Sequence, residues 1–277
     1  LPYRRPKDQT VEDFCDELVK EFEQKIEELG AENIAAFIAE PVLASGGCIV
    51  PPDGYFKKIY DLCKKNQIIF IADEVVTGFG RLGHFFSSEE IFGVVPDIIT
   101  CAKGITSGYL PLGAVLFSNK LIADLKDDSS LFFHGYTYSG HPACCAAALK
   151  NIEILKRDKI LEHVKEIEPY FFEKLNTLYE LPIVGDIRGK GLMAGIECVI
   201  NKDSKEALVL DKAIGSRIDE ESIKLGLIIR PLYHICVLSP ALIINKEQID
   251  QLTDKLYNAI SNTIDQLKNE GLWSQIK

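Results

Sequence analysis

The chain has 277 residues, is 47% hydrophobic and carries a formal charge of −10, enough for one large domain or two smaller ones around a sizeable core. That charge argues against nucleic acid or an anionic membrane as a main partner, and no apolar stretch approaches the roughly 18 residues of a membrane span. Eight cysteines without a CxxC pair and five scattered histidines indicate free thiols in a reducing, cytoplasmic compartment and no zinc site.

The opening Leu1-Pro2-Tyr3-Arg4-Arg5-Pro6 lacks the apolar core of a signal peptide. It also lacks an initiator Met, so a start further upstream is expected. Thr10 caps a helix whose apolar positions, from Val11 to Leu29, recur at helical spacing until Gly30 ends it. Ile34 to Ala39 reads as a strand closed by Glu40-Pro41. Asp53 starts a helix that leads to the strand Ile68 to Ala72. Strand, crossover helix and strand in this order make a βαβ unit with parallel strands.

Ile68 to Ala72 runs into Asp73-Glu74, and Pro96 to Ala102 runs into Lys103-Gly104. Continuous apolar runs of this length read as strands buried on both faces. Only about ten residues separate Lys103 from the strand Ala114 to Phe117, too few for a crossover helix, so that strand is antiparallel and the sheet mixed. Pro142 suits the first turn of the Ala-rich helix after the polar loop His134 to His141. From about Lys150 charged helices and short strands alternate in blocks: Ile160–Leu178, strands around Gly191–Val199, Leu227–Arg230 and Ile235–Leu238, and a last helix from Lys246 to Leu267. The expected division is an α/β domain over 1–150 and a smaller α+β domain over 151–277.

In parallel sheets ligands bind beyond the carboxyl ends of the strands, which places Asp73 and Lys103 at one edge. Singly, Asp73 reads as a capping carboxylate and Lys103 as a solvated amine. Together they suit pyridoxal phosphate: an amine to form an imine with its aldehyde, and a carboxylate to keep its ring nitrogen protonated. Val75 lies close enough to pack on the ring. A literal GxGxxG at Gly78 to Gly83 starts five residues past the strand and opens no helix, so it reads as a tight surface turn, not a dinucleotide fingerprint.

Ala39-Glu40-Pro41-Val42, Ile71 to Gly83, Pro96-Asp97-Ile98-Ile99 and Ala102-Lys103-Gly104 together resemble the class III aminotransferases, over nearly the whole chain. The resemblance implies the aspartate-aminotransferase fold type, with a mixed, mostly parallel sheet flanked by helices. It implies Lys103 as the Schiff-base lysine, Asp73 as the partner of the pyridine nitrogen and Val75 as the ring-packing residue. Thr137 matches a threonine that binds cofactor phosphate across a homodimer interface. Arg230 matches an arginine that turns toward a substrate carboxylate, Glu40 is carried over as substrate-binding, and Arg188 as structural.

Ile105 to Gly113 is similar to ω-amine and ω-amino-acid transaminases that use pyruvate, although the class more often has two glycines where Ser107-Gly108 stand. Ser45 and Val237 occupy the places of a glutamate and an arginine of the ornithine and GABA branches, so no fixed clamp for 2-oxoglutarate is expected. The implied reaction moves an amino group from a primary amine or ω-amino acid to a small 2-oxo acid. An aminomutase, a decarboxylating transaminase, a non-catalytic fragment and, last, a dinucleotide oxidoreductase remain open. The family's phosphate-cradling Gly-Ser helix start and ring-stacking aromatic have no counterpart here. The expectation is a C-terminal part of a longer enzyme that alone binds cofactor weakly.

Overall fold

The computed structural model describes residues 2–124, 132–208 and 213–275. Thr10 opens helix α1 (Val11–Leu29): its hydroxyl accepts the Asp13 N–H at 3.0 Å, and the Gly30 N–H closes the helix on the Ile26 carbonyl. Strand β1 (Ala36–Ala39), helix α2 (Tyr55–Lys65) and strand β2 (Ile69–Asp73) form the expected unit, with β1 and β2 parallel. Helix α2 starts two residues late because Gly54 takes the left-handed backbone, φ +78°. A short helix α3 (Ser87–Glu90) leads to β3 (Ile98–Cys101), parallel to β2, and β4 (Ala114–Phe117) runs antiparallel to β3. The sheet order is β1-β2-β3-β4, and helix α4 (Asn119–Asp124) follows it.

This sheet is closed on one face only, which corrects the expectation of strands covered on both sides. Phe37 and Phe70, paired in register, pack against Ile26 of α1 and against Phe56, Ile59 and Cys63 of α2. On the other face Ile38 is 58% exposed and Val115 53%. Val115 pairs with Thr100, and Thr100 with Asp73, so the open face is the one that carries Asp73. A continuous apolar run shows that both faces want cover. It does not show which chain supplies it.

Helix α5 (Pro142–Arg157), with Pro142 in its first turn, and helix α6 (Ile160–Asn176) lead to a second sheet. That sheet comprises β5 (Val184–Lys190), β6 (Met193–Asn201), β7 (Glu206–Ala207), β8 (Arg230–Leu232) and β9 (Ile235–Leu238), with α7 (Ile214–Lys224) between β7 and β8. Its order is β5-β6-β9-β8, with β7 on β6, and every pairing is antiparallel. Helix α8 (Lys246–Asn269) begins at a reciprocal cap between Asn245 and Gln248. Phe171 of α6, Ile196 of β6 and Ile218 of α7 meet Leu256 and Ile260 of α8 in the largest core cluster. Seven of the eight cysteines are buried and all are free.

Candidate active site

Strand β2 ends at Asp73, whose register partner on β3 is Thr100. Lys103 follows three residues later. Asp73 is not among the residues that line the cleft onto which Lys103 opens. Asp73 is half-buried and accepts the Val75 N–H at 3.0 Å. The hydroxyl of Thr100, beside Asp73 on the same face, is buried without a hydrogen-bond partner. An orphaned donor next to a carboxylate suits a bound polar ring. Lys103 is exposed, and its backbone takes the left-handed region at φ +42°, a conformation that costs roughly 1–3 kcal/mol and concentrates at functional sites.

The turn between the strands is built around Glu74, which has no exposed surface. Its carboxylate accepts the hydroxyl of Thr77 at 2.6 Å, that of Ser87 at 2.8 Å and the N–H of Ser88 at 2.7 Å. Gly78 is required there, since a Cβ would stand 2.9 Å from the Glu74 carbonyl. The glycine-rich segment is a turn, as its spacing suggests, but a buried one. Gly78, Phe79, Gly80 and Leu82 are covered, and Arg81 reaches the second sheet. Arg81 donates to the carbonyls of Leu192 at 2.8 Å and Pro240 at 2.7 Å. Burial lowers its pKa to about 10, which leaves it protonated at neutral pH.

Lys103 and Arg230 open onto the same cleft of about 440 Å³, with Val76, Phe79, Met193 and Leu242 among its walls. Arg230 is exposed, and its side chain makes no hydrogen bond or ion pair with any described residue. Ser45 and Val237 also line this cleft, so the two positions compared with other branches face the space where a substrate would lie. Val75 is half-buried, just outside the cleft wall. Glu40 turns back on its own loop, where its carboxylate accepts the Ala44 N–H at 3.0 Å. Thr137 lies in the exposed loop between Phe132 and His141. Sequence reasoning passed over Val76, Phe79 and Met193, which carry no chemistry of their own. Arg81 was visible only as a letter of a motif.

Comparison with known proteins gives the family. The chain matches the family described as Aminotransferase class-III over residues 1–260. The chain belongs to the class-III aminotransferases. It is 44% identical to a putrescine–pyruvate aminotransferase of Pseudomonas aeruginosa over 88% of this chain and 53% of that protein. It is 40% identical to a chloroplastic gamma aminobutyrate transaminase 3 of Solanum lycopersicum, over 95% of this chain and 51% of the relative. Among solved structures, a thermostable (S)-enantioselective omega-transaminase from Thermomicrobium roseum superposes with a TM-score of 0.91 at 42% identity, covering 95% of this chain and 59% of that one. A PMP-bound aminotransferase from Vibrio fluvialis gives 0.89 at 36% identity, covering 95% and 59%. This class-III chain therefore spans about half the length of the curated relatives it matches.

Proposed function

We propose that the protein carrying this chain is a pyridoxal-phosphate-dependent transaminase that moves an amino group from a primary amine or ω-amino acid to a small 2-oxo acid such as pyruvate. The observation that carries this reading is the placement of Asp73 and Lys103 at the carboxyl ends of adjacent parallel strands, with Lys103 and Arg230 on one cleft. Bound there, pyridoxal phosphate supplies an electron-withdrawing ring that stabilises negative charge on the carbon bearing the amine. Lys103 would hold the cofactor through its aldehyde carbon, and its free amine would move the proton at the reacting carbon. Asp73 would keep the ring nitrogen protonated, and the Val75 N–H holds the Asp73 carboxylate in place. Val75 packs on the ring, and Arg230 pairs with a substrate carboxylate.

Pyruvate is supported by the cleft itself: Ser45 and Val237 line it, and neither offers a positive charge to a second carboxylate. The putrescine–pyruvate relative points the same way. A homodimer is supported by the exposed aromatic loop, with Phe133 at 94%, Tyr136 at 77% and Tyr138 at 80%. Thr137, in that loop, is then offered to the cofactor phosphate of a second copy. Eight free thiols support a reducing, cytoplasmic setting.

Lys103→Ala should abolish the visible absorbance of the bound cofactor and lower turnover at least about a thousandfold. Absorbance spectra of the protein before and after adding amines and pyruvate test this. A Lys103→Ala variant that keeps both colour and turnover ends the reading. The isolated 277-residue chain is expected to hold the cofactor weakly, because the sheet face that bears Asp73 is open.

A further inference from the structure

Helix α5 faces the site with one polar residue in an otherwise apolar stripe. Cys144, Ala148 and Leu155 are buried, and Asn151 falls in the same helical row. Its side-chain amide donates to the carbonyl oxygens of Gly104 at 2.9 Å and Ile105 at 3.1 Å. Its oxygen accepts the Ser107 hydroxyl at 2.7 Å. The orientation is fixed by its partners, since a carbonyl can only accept.

The segment so gripped is strained. Lys103 and Ser107, at its two ends, take φ +42° and +50°. The turn closes by Ser107 N–H to the Gly104 carbonyl at 3.1 Å and Gly108 N–H to the Lys103 carbonyl at 3.2 Å. Glycine would enter the left-handed region freely. Serine at 107 does so at a cost, and the bond from its hydroxyl to Asn151 offsets that cost.

We propose that Asn151, acting with Ser107, is a positioning residue that fixes the backbone turn from which the Lys103 amine projects. The proposal rests on reading Lys103 as the amine that holds the cofactor, but it concerns the chain's own backbone. N151D keeps the shape and the acceptor for Ser107. It loses both donated bonds and sets a carboxylate against two carbonyl oxygens. A residue that merely filled space would tolerate that change.

The test uses the full chain and two readouts. Without cofactor, N151A and N151D should speed hydrogen exchange at the Ile105, Ser107 and Gly108 amides about tenfold, while the β2 amides keep their parental rates. With pyridoxal phosphate and borohydride, labelling of Lys103 relative to the other lysines should fall about fivefold in N151D, and less in S107G, which relieves the strain it unties. Parental exchange and parental labelling in N151D would overturn the proposal. Should the parent itself show no preference for Lys103, the cofactor reading fails, and exchange alone decides the brace. Should N151D not fold, S107A removes one bond only, and a rise of about twofold or more at Ser107 and Gly108 is expected. No rise overturns the proposal.

Discussion

At Glu197 a carboxylate with no exposed surface sits in the middle of an apolar strand. Such a charge needs partners, and it has them. Arg188 donates to it at 2.6 Å, Arg4 donates from the other end of the chain, and His234 lies 3.6 Å away. Arg188 also donates to Asp186 and to the Gly47 carbonyl, each at 2.8 Å, which fits the structural role expected of it. Burial pushes the Glu197 pKa up, but His234, Arg4 and Arg188 together outweigh it and hold the value at about 2, below the ordinary 4.5. A depressed carboxylate pKa stabilises the fold above the unfolded value, and that contribution is lost as pH falls toward the folded one. Glu197→Gln should therefore destabilise by roughly 3 kcal/mol at pH 7, and the gap from the parent should close between about pH 4.5 and pH 2. Urea titrations across that range measure it, and a gap independent of pH would refute the assignment. The strand's sequence, Met193 to Asn201, did not single out Glu197 as a buried charge. It could not name a partner 193 positions away.

Elements were legible where one period ran without interruption. Helix α1 lies where its cap and apolar spacing put it, α8 starts at Lys246 as expected and runs two residues further, and α5 starts at its proline. The βαβ unit followed from the order of its elements, and the reversal at β4 from loop length. Strand β5 did not, because Val184-Gly185-Asp186-Ile187-Arg188-Gly189-Lys190 alternates nothing apolar, although it pairs with β6 along its length. Helix α7 was missed for the same kind of reason: it buries Glu221 and Ser222 along with Ile214 and Ile218. Of the candidate site, strand ends gave Asp73 and Lys103. The walls came from the second sheet through Arg81, a tertiary contact no spacing encodes. Arg81 ties the β2–β3 turn to the segments before β6 and after β9, so Arg81→Met should uncouple the two sheets. It leaves two carbonyls unpaired and should cost roughly 3 kcal/mol by chemical denaturation. Gly191→Ala attacks the same joint from the other side. Its Cβ would fall 2.4 Å from the Arg81 carbonyl at φ +58°, so this variant should lose a comparable amount. A second change in the Arg81→Met background should then add little.

On the scale of the whole molecule, apolar surface is left open on one side. Ile38 and Val115 on the first sheet are more than half exposed, and Tyr109 near the cleft is 85% exposed. In the loop that carries Thr137, Phe132 stacks on Phe117, and His134 bridges Phe132 and Tyr136 at centroid distances of 5.9 and 5.3 Å. An aromatic ribbon ordered by its own stacking but bare toward solvent is the composition of an interface core. An isolated monomer rarely exposes a contiguous apolar patch of this kind. A self-complementary contact across a two-fold axis would bury this loop and bring Thr137 toward the site of a second copy. Phe133, the most exposed of these side chains at 94%, is the place to test it. It touches neither Asp73 nor Lys103, so Phe133→Glu should leave the fold's denaturation midpoint unchanged within about 0.5 kcal/mol. It should nevertheless shift the sedimentation coefficient of the chain from that of a dimer to that of a monomer. If the parent sediments as a monomer at micromolar concentration, or the Glu variant still dimerises, the loop is not the interface and Thr137 serves no second site.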